Sequence, residues 1–324
     1  MILPEWLIER GIGETRAALV ADGQIIEARI ELDGAVPAGS IIRARLTSNG
    51  FNGRNAIAVG EDGAEYLLPK GAGTTSQGAN LIIELTREAI PGAEPWKRPL
   101  ARMTDKEPGI VPPLSRRIAG RGLAFPSPVD ELREVGWDDL IDQARSEAVT
   151  FAGGELRLST TPAMTLIDVD GYLAPGELAM LGAREAARAV RRLDIGGSIG
   201  IDLPTAGSKT ARQVAAGAID AILPQPFERT AVNGFGFVQI VRPRSRASLV
   251  ELAQDRSGFE ARAFLRRAGL DSPGAKRLVA HPALIMALEA RQDWLKTLSR
   301  QIGGAVSLRA DPSLPMSGAY AEAI

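Results

Sequence analysis

The chain has 324 residues, 45% of them hydrophobic and 24% charged, the make-up of a globular protein with room for two or three domains. Lys and Arg total 38 against 39 Asp and Glu, a net charge of −1, so any binding to nucleic acid must use local basic patches rather than a global field. There is no cysteine and only one histidine, His281, which excludes disulfides, thiolate metal sites and multi-histidine sites and leaves oxygen ligands suited to magnesium or manganese.

The first 33 residues alternate and turn, and "TRAALVADGQIIEARIEL" predicts a hairpin with Asp22-Gly23 as its turn. Residues 38–71 hold short β-rich runs split by Gly-Phe-Asn-Gly and Glu-Asp-Gly, and "NLIIELTREAI" adds a strand. That rhythm predicts a small five-stranded barrel of the OB type. Residues 91–128 are rich in Pro, Gly and Arg, and read equally as a linker or as an RNA-contacting segment. "VDELREVGWDDLIDQARSEAV" predicts helix broken at Gly136.

From residue 154 strands and helices alternate, which predicts a sheet covered by helices. "ELRLST" and "AMTLIDVDG" read as a strand pair. A long helix follows in "PGELAMLGAREAARAVRRLD", with Pro175 in its first turn. "SIGIDLP" is a buried strand, "GSKTARQVAAGAIDAIL" a helix capped by Ser208, "GFGFVQIVRPR" a strand and "SRASLVELAQ" a helix. After about residue 260 a smaller α/β unit is expected, with helix in "ALIMALEARQDWLKTLSRQIG" and strand in "AVSLRAD".

Strand alternation puts Leu166, Asp168 and Asp170 on one face. If "SIGIDLP" runs parallel to that strand through the helix between them, Asp202 arrives at the same sheet edge, where open α/β sheets place ligands. Carboxylates gathered this way repel unless a hard divalent cation sits among them. Each aspartate could also simply end a strand or cap a helix, and that reading stays open. Arg242, Arg244 and Arg246 would share one face of an alternating strand, either as phosphate contacts or as a solvated basic edge. "TAGSKT" fails as a phosphate-binding P-loop because Ser208 separates Gly207 from Lys209. His281 has the bland reading of a structural or surface residue.

Three stretches, "TPAMTLIDVDG", "AREAARAVRRLDIGGSIGIDL" and "RTAVNGFGFVQIVRPRSRASL", occur in an order and spacing that resembles the catalytic core of the ribonuclease E/G family. "ETRAALVADGQIIEARIE" resembles that family's N-terminus, and the barrel-like stretch resembles its S1 domain in compressed form. The resemblance implies an α/β protein with an RNase H-like/DNase I-like mixed-sheet core, an inserted S1/OB-type β-barrel and a small α/β C-terminal domain. It divides the chain into a scaffold of 1–34 with 98–150, a barrel at 35–97, a catalytic α/β domain at 151–258 and a C-terminal domain at 259–324.

The resemblance further implies a cytoplasmic, magnesium-dependent endoribonuclease, with manganese as an alternative ion. It would cleave single-stranded RNA in RNA and rRNA processing. Carried over by motif, Asp168 and Asp202 would hold the metal, while Asp170 stands where the family has asparagine and adds a negative charge. Arg242, Arg244 and Arg246 would hold phosphates. Lys97 and Arg98 lie in "WKRPLARMTD", which resembles the basic strand after the barrel, and Phe51 and Tyr66 could stack on bases or belong to the barrel core. Without cysteine there is no zinc link, so a monomer or weak homo-oligomer is expected, with no membrane association. The segment that reads a 5′-monophosphate is largely missing. The alternatives are a non-cleaving RNA-binding or ribosome-maturation protein on the same fold and, less favoured, a small-molecule phosphoesterase.

Overall fold

A computed structural model of the protein describes residues 3–92 and 97–324. Three antiparallel strands come first: β1 (Glu5–Arg10), β2 (Glu14–Ala21) and β3 (Gln24–Leu32). Asp22 (φ 49°) and Gly23 (φ 75°) both adopt the left-handed region that a two-residue hairpin turn requires. Next, β4 (Ile41–Ser48), β5 (Ala56–Gly60), β6 (Glu65–Leu68), β7 (Asn80–Arg87) and β8 (Leu100–Met103) close into a barrel in the order β4-β5-β6-β8-β7. Alternating inward residues fill it, among them Leu46, Ala58, Leu68, Ile83 and Leu85. The barrel therefore runs past residue 97 to take in β8.

The chain continues through α1 (Leu114–Arg117), β9 (Arg121–Leu123), α2 (Glu131–Glu134) and α3 (Trp137–Ser146), and Gly136 at φ 95° breaks the helix between the last two. Then follow β10 (Ala148–Phe151), β11 (Gly154–Thr160), β12 (Thr165–Gly171), α4 (Pro175–Arg192), β13 (Gly197–Asp202), α5 (Lys209–Ile222), β14 (Glu228–Arg229), β15 (Phe237–Arg242) and α6 (Leu249–Leu252). Last come α7 (Arg256–Leu270), β16 (Lys276–Ala280), α8 (Pro282–Glu289), α9 (Gln292–Ile302), β17 (Val306–Ala310) and β18 (Tyr320–Ala323). The helix expected over "SRASLVELAQ" is the single turn α6. The one expected after Ala283 is two helices, separated at Ala290–Arg291.

Two compact units result. One combines the stretch to Asp33 with 114–145 and 252–324. It holds the sheet β3-β2-β1-β9 and the sheet β17-β16-β18, the latter packed on α7, α8 and α9 through Phe264, Leu265, Leu284, Leu288 and Leu298. It also buries a network of charges. Glu9 accepts from Arg16 Nη1 at 2.6 Å and Arg266 Nε at 2.9 Å, and Glu14 accepts from Arg16 Nε at 2.7 Å and Arg262 Nε at 2.8 Å. His281 caps α8, its Nδ1 accepting from the Ala283 amide at 3.2 Å, which is the structural role expected of it.

The second unit spans 34–113 and 146–251. Beside the barrel it contains a six-stranded mixed sheet in the order β10-β11-β12-β13-β15-β14. The helix α4 is the crossover connection that a parallel pairing of β13 with β12 needs. On β12, Ile167 and Val169 are buried while Leu166, Asp168 and Asp170 are exposed. Gly182 of α4 lets the helix settle onto this strand, since a Cβ there would lie 2.3 Å from Val169 Cγ1. The opposite face of β12, the one with the aspartates, stays open.

Candidate functional site

Register brings the acidic residues together. Asp168 of β12 pairs with Asp202 of β13, Arg157 of β11 lies opposite Asp168, and Glu155 lies opposite Asp170. On β13's other side Asp202 pairs with Phe237 of β15. One row across the sheet thus reads Arg157, Asp168, Asp202, Phe237, with neighbouring backbones about 4.8 Å apart and their side chains on the same face. Burial pushes the Asp168 carboxyl up from its ordinary value, and the charges of Asp170 and Asp202 push it the same way. The Val169 amide and the Arg157 guanidinium oppose them. The Asp168 carboxyl therefore feels two neighbouring carboxylates at the C-terminal ends of two parallel strands.

This donor set fits a hard divalent cation. The residues offer carboxylate oxygen, and their mutual repulsion is what such an ion relieves. Among the described residues no three acidic, His or Cys side chains form a closed metal cage. Asp168 and Asp202 would supply two carboxylate ligands from neighbouring strands, with other positions of such an ion left to water.

The arginines fall elsewhere, against expectation. Strand β15 runs antiparallel to β13, so Phe237 stands beside Asp202 and Arg242 beside Gly197, at the other end of the sheet. The two positions lie five residue steps apart along the strand, about 17 Å. Arg242 Nη1 donates to the Ile195 carbonyl at 2.9 Å, Arg244 pairs with Glu251, and Arg246 pairs with Asp194, Nη2 to Oδ1 at 3.2 Å. Pro243 also ends the strand, so the shared face expected for the three does not extend past Arg242. None of the three stands at the aspartate end; together they tie β15 and the segment after it to the far end of the sheet.

On the barrel, Tyr66 is only 2% exposed and its ring lies in the core, with its hydroxyl donating to Asp62 Oδ2 at 2.6 Å. Burial, then the bond to Asp62, pushes the phenol well above its usual range. A ring so placed offers no face to a base, which corrects the stacking role considered for it. Phe51, in the connection between β4 and β5, is 83% exposed and does offer one. Arg98 Nε donates to Glu65 Oε2 at 2.5 Å, and the half-buried Lys97 precedes it; Trp96 of the same stretch lies outside the described residues.

Two groups of residues escaped the sequence reading. A groove of about 680 Å3 on the barrel is lined by Arg43, Arg45, Thr47 and Asn80 among others. The alternation of "IIRARLTS" already places Arg43, Arg45 and Thr47 on one outward face. Glu155 and Arg157 likewise alternate in "ELRLST", and only the pairing of β11 with β12 shows that they border the aspartates.

Fold and site together define a mixed α/β protein with one closed five-stranded barrel and a sheet end lined by aspartates. No protein-family model matches the chain, and no curated protein does. The resemblance to the ribonuclease E/G family is thus an expectation carried by the sequence motifs alone. Among the described residues no helix is long and apolar enough to cross a membrane.

Proposed function

We propose that the protein is a divalent-metal-dependent endoribonuclease acting on single-stranded RNA. The observation that carries this reading is the register of Asp168 with Asp202 on adjacent parallel strands, with Asp170 on the same face. On this reading the six-stranded sheet is an RNase H-like core and the barrel an S1/OB-type module presenting Phe51, Arg43 and Arg45 to the strand. Asp168 and Asp202 would hold a magnesium or manganese ion. When bound, such an ion lowers the pKa of a coordinated water and polarises the phosphodiester. The Asp170 carboxylate accepts a hydrogen bond from the attacking water, as the amide oxygen of the family's asparagine would. Arg157, opposite Asp168, is the guanidinium set to meet a phosphate oxygen.

A second reading, RNA binding without cleavage, is favoured by one observation: Arg242, Arg244 and Arg246 are engaged away from the aspartates, which weakens the hold on a scissile phosphate. Incubating the protein with an end-labelled single-stranded RNA in magnesium or in EDTA separates the two. Internal cuts that need magnesium and vanish in Asp168→Asn and in Asp202→Asn support the nuclease. Retention of the RNA on a filter without cuts supports the binder, and cuts that persist in both variants overturn the site.

A further inference from the structure

Two largely exposed aromatic rings stand at the aspartate end of the sheet. Tyr172 follows β12 directly, two residues after Asp170, and Phe235 precedes β15 by two residues, next to the strand end that carries Asp202; each is 84% exposed. Single exposed apolar residues are common and need no explanation. What distinguishes these two is that their backbones are pinned while their rings are bare.

The Tyr172 amide donates to the Gly153 carbonyl at 3.1 Å, and the preceding Gly171 sits so close that a Cβ there would lie 2.3 Å from the same oxygen. The Phe235 amide donates to Asn233 Oδ1 at 2.9 Å, and its carbonyl accepts from Thr205 Oγ1 at 3.3 Å. Gly236, at φ 97°, presses on the chain just after Asp202: a Cβ on it would lie 2.1 Å from the Leu203 carbonyl. Each ring therefore hangs from a fixed point, which reduces the ordering entropy lost when a flat partner stacks on it.

The strands β12 and β15 flank β13, so the two anchor points are about two strand spacings apart, roughly 10 Å across the sheet. Tyr172 follows Asp168 and Asp170 on their own strand, and Phe235 lies just beyond Phe237, the neighbour of Asp202, so both anchor points lie past the aspartate row at one end of the sheet. A flat, apolar-faced, partly polar ligand that also brings a phosphate to the carboxylates is an unpaired nucleotide.

We propose that Tyr172 and Phe235 are base-stacking platforms, both just beyond the aspartate row at one end of the sheet, which grip two unpaired nucleobases of a single RNA strand. The inference rests on the reading of the protein as one that binds single-stranded RNA. Stacking on a fixed ring accepts any base, favours purines for their larger faces, and adds no charge.

The test measures binding of fluorescent oligo(A) and oligo(U) in EDTA, on the full chain carrying Asp168→Asn and Asp202→Asn so that nothing is cut and repulsion is reduced. Loss of either ring, in Tyr172→Ala or Phe235→Ala, should weaken oligo(A) binding roughly 5- to 100-fold. The loss for oligo(U) should be smaller, and the slope of log K against log salt should not change. Tyr172→Phe and Phe235→Tyr should keep the parent affinity, and none of the four should alter Tm, since the rings touch little. If the parent binds and the alanine variants bind within twofold of it, the stacking inference falls while the RNA reading stands. If Tyr172→Phe loses as much as Tyr172→Ala, the hydroxyl and not the ring is at work, and the inference falls for that residue. A parent that binds neither oligonucleotide overturns both.

Discussion

Replacing Asp168 by asparagine keeps the shape of the side chain and an acceptor oxygen for the Val169 amide, but deletes one of three neighbouring carboxylates. At the register spacing, about 5 Å to Asp202, two unit charges in water repel by about 0.8 kcal/mol. Asp170, two residues along the strand and about 6.6 Å away, adds roughly 0.6 kcal/mol. Loss of the attraction to Arg157 takes back a similar amount, so the variant should gain about 0.5–1 kcal/mol in EDTA. For units of this size that is a rise in Tm of about 1–3 °C, shrinking as salt is added. Magnesium should reverse the order. The parent gains stability by mass action once the ion exceeds its Kd, about 2.7 kcal/mol at a hundredfold excess, and Asp168→Asn gains far less. Scanning unfolding of both proteins in EDTA and in magnesium checks both halves. A lower Tm for the variant in EDTA would refute the repulsion. An equal magnesium-induced rise in both would refute Asp168 as a ligand.

Three further outcomes follow from the rest of the fold. Glu9→Gln leaves the buried Arg16 and Arg266 short of an anionic partner and should destabilise by about 3–5 kcal/mol, read from the urea midpoint; a change under about 1 kcal/mol would contradict the network. Burial alone would raise the Asp130 carboxyl, but its bonds to Arg266 and the Arg133 amide outweigh burial and hold it below the ordinary range. Its contribution is therefore present above the unfolded value, near pH 4, and is lost as pH falls through the lower folded one, so Asp130→Asn should flatten the acid limb of a Tm-against-pH curve and leave it unflattened only if the pairing is absent. Tyr66→Phe removes a buried hydroxyl whose partner Asp62 remains hydrated, and should lower stability by about 1 kcal/mol in urea while leaving RNA affinity unchanged.

What could be read from the sequence depended on how local its physical cause was. The Asp22-Gly23 turn, the Pro175 start of α4, the Ser208 cap and the break at Gly136 each follow from one or two residues, and all are present. The pairing of Asp168 with Asp202 needed one longer-range step, a parallel crossover through α4, and the strand–helix–strand pattern of the sequence supplies it. The fate of the arginines needed the direction of β15, which alternation does not encode, since a strand read forwards or backwards has the same period. Antiparallel pairing carried Arg242 to the far end of the sheet. Tyr66 failed for a related reason. Its place on β6 put it on one of two faces, and only closure of the barrel decided that this face was the inside.

On the proposed reading, charge at the sheet end would link the metal to the RNA. Asp168, Asp170, Asp202 and Glu155 lie on paired strands there, against Arg157 alone, whose Nε already donates to Glu155 at 3.0 Å. Four carboxylates against one guanidinium leave three negative charges where the proposed substrate must bring a phosphodiester. A bound cation would relieve that repulsion, so on the proposed reading ion and RNA favour each other's binding, and by linkage the favour is equal in both directions. An asparagine at position 170 would leave two such charges rather than three. On the proposed reading, the aspartate found there would strengthen the hold on the ion, make the approach of RNA more dependent on it, and shift the work of gripping the strand to groups that carry no negative charge: the barrel groove with Arg43 and Arg45, and the exposed rings of Phe51, Tyr172 and Phe235.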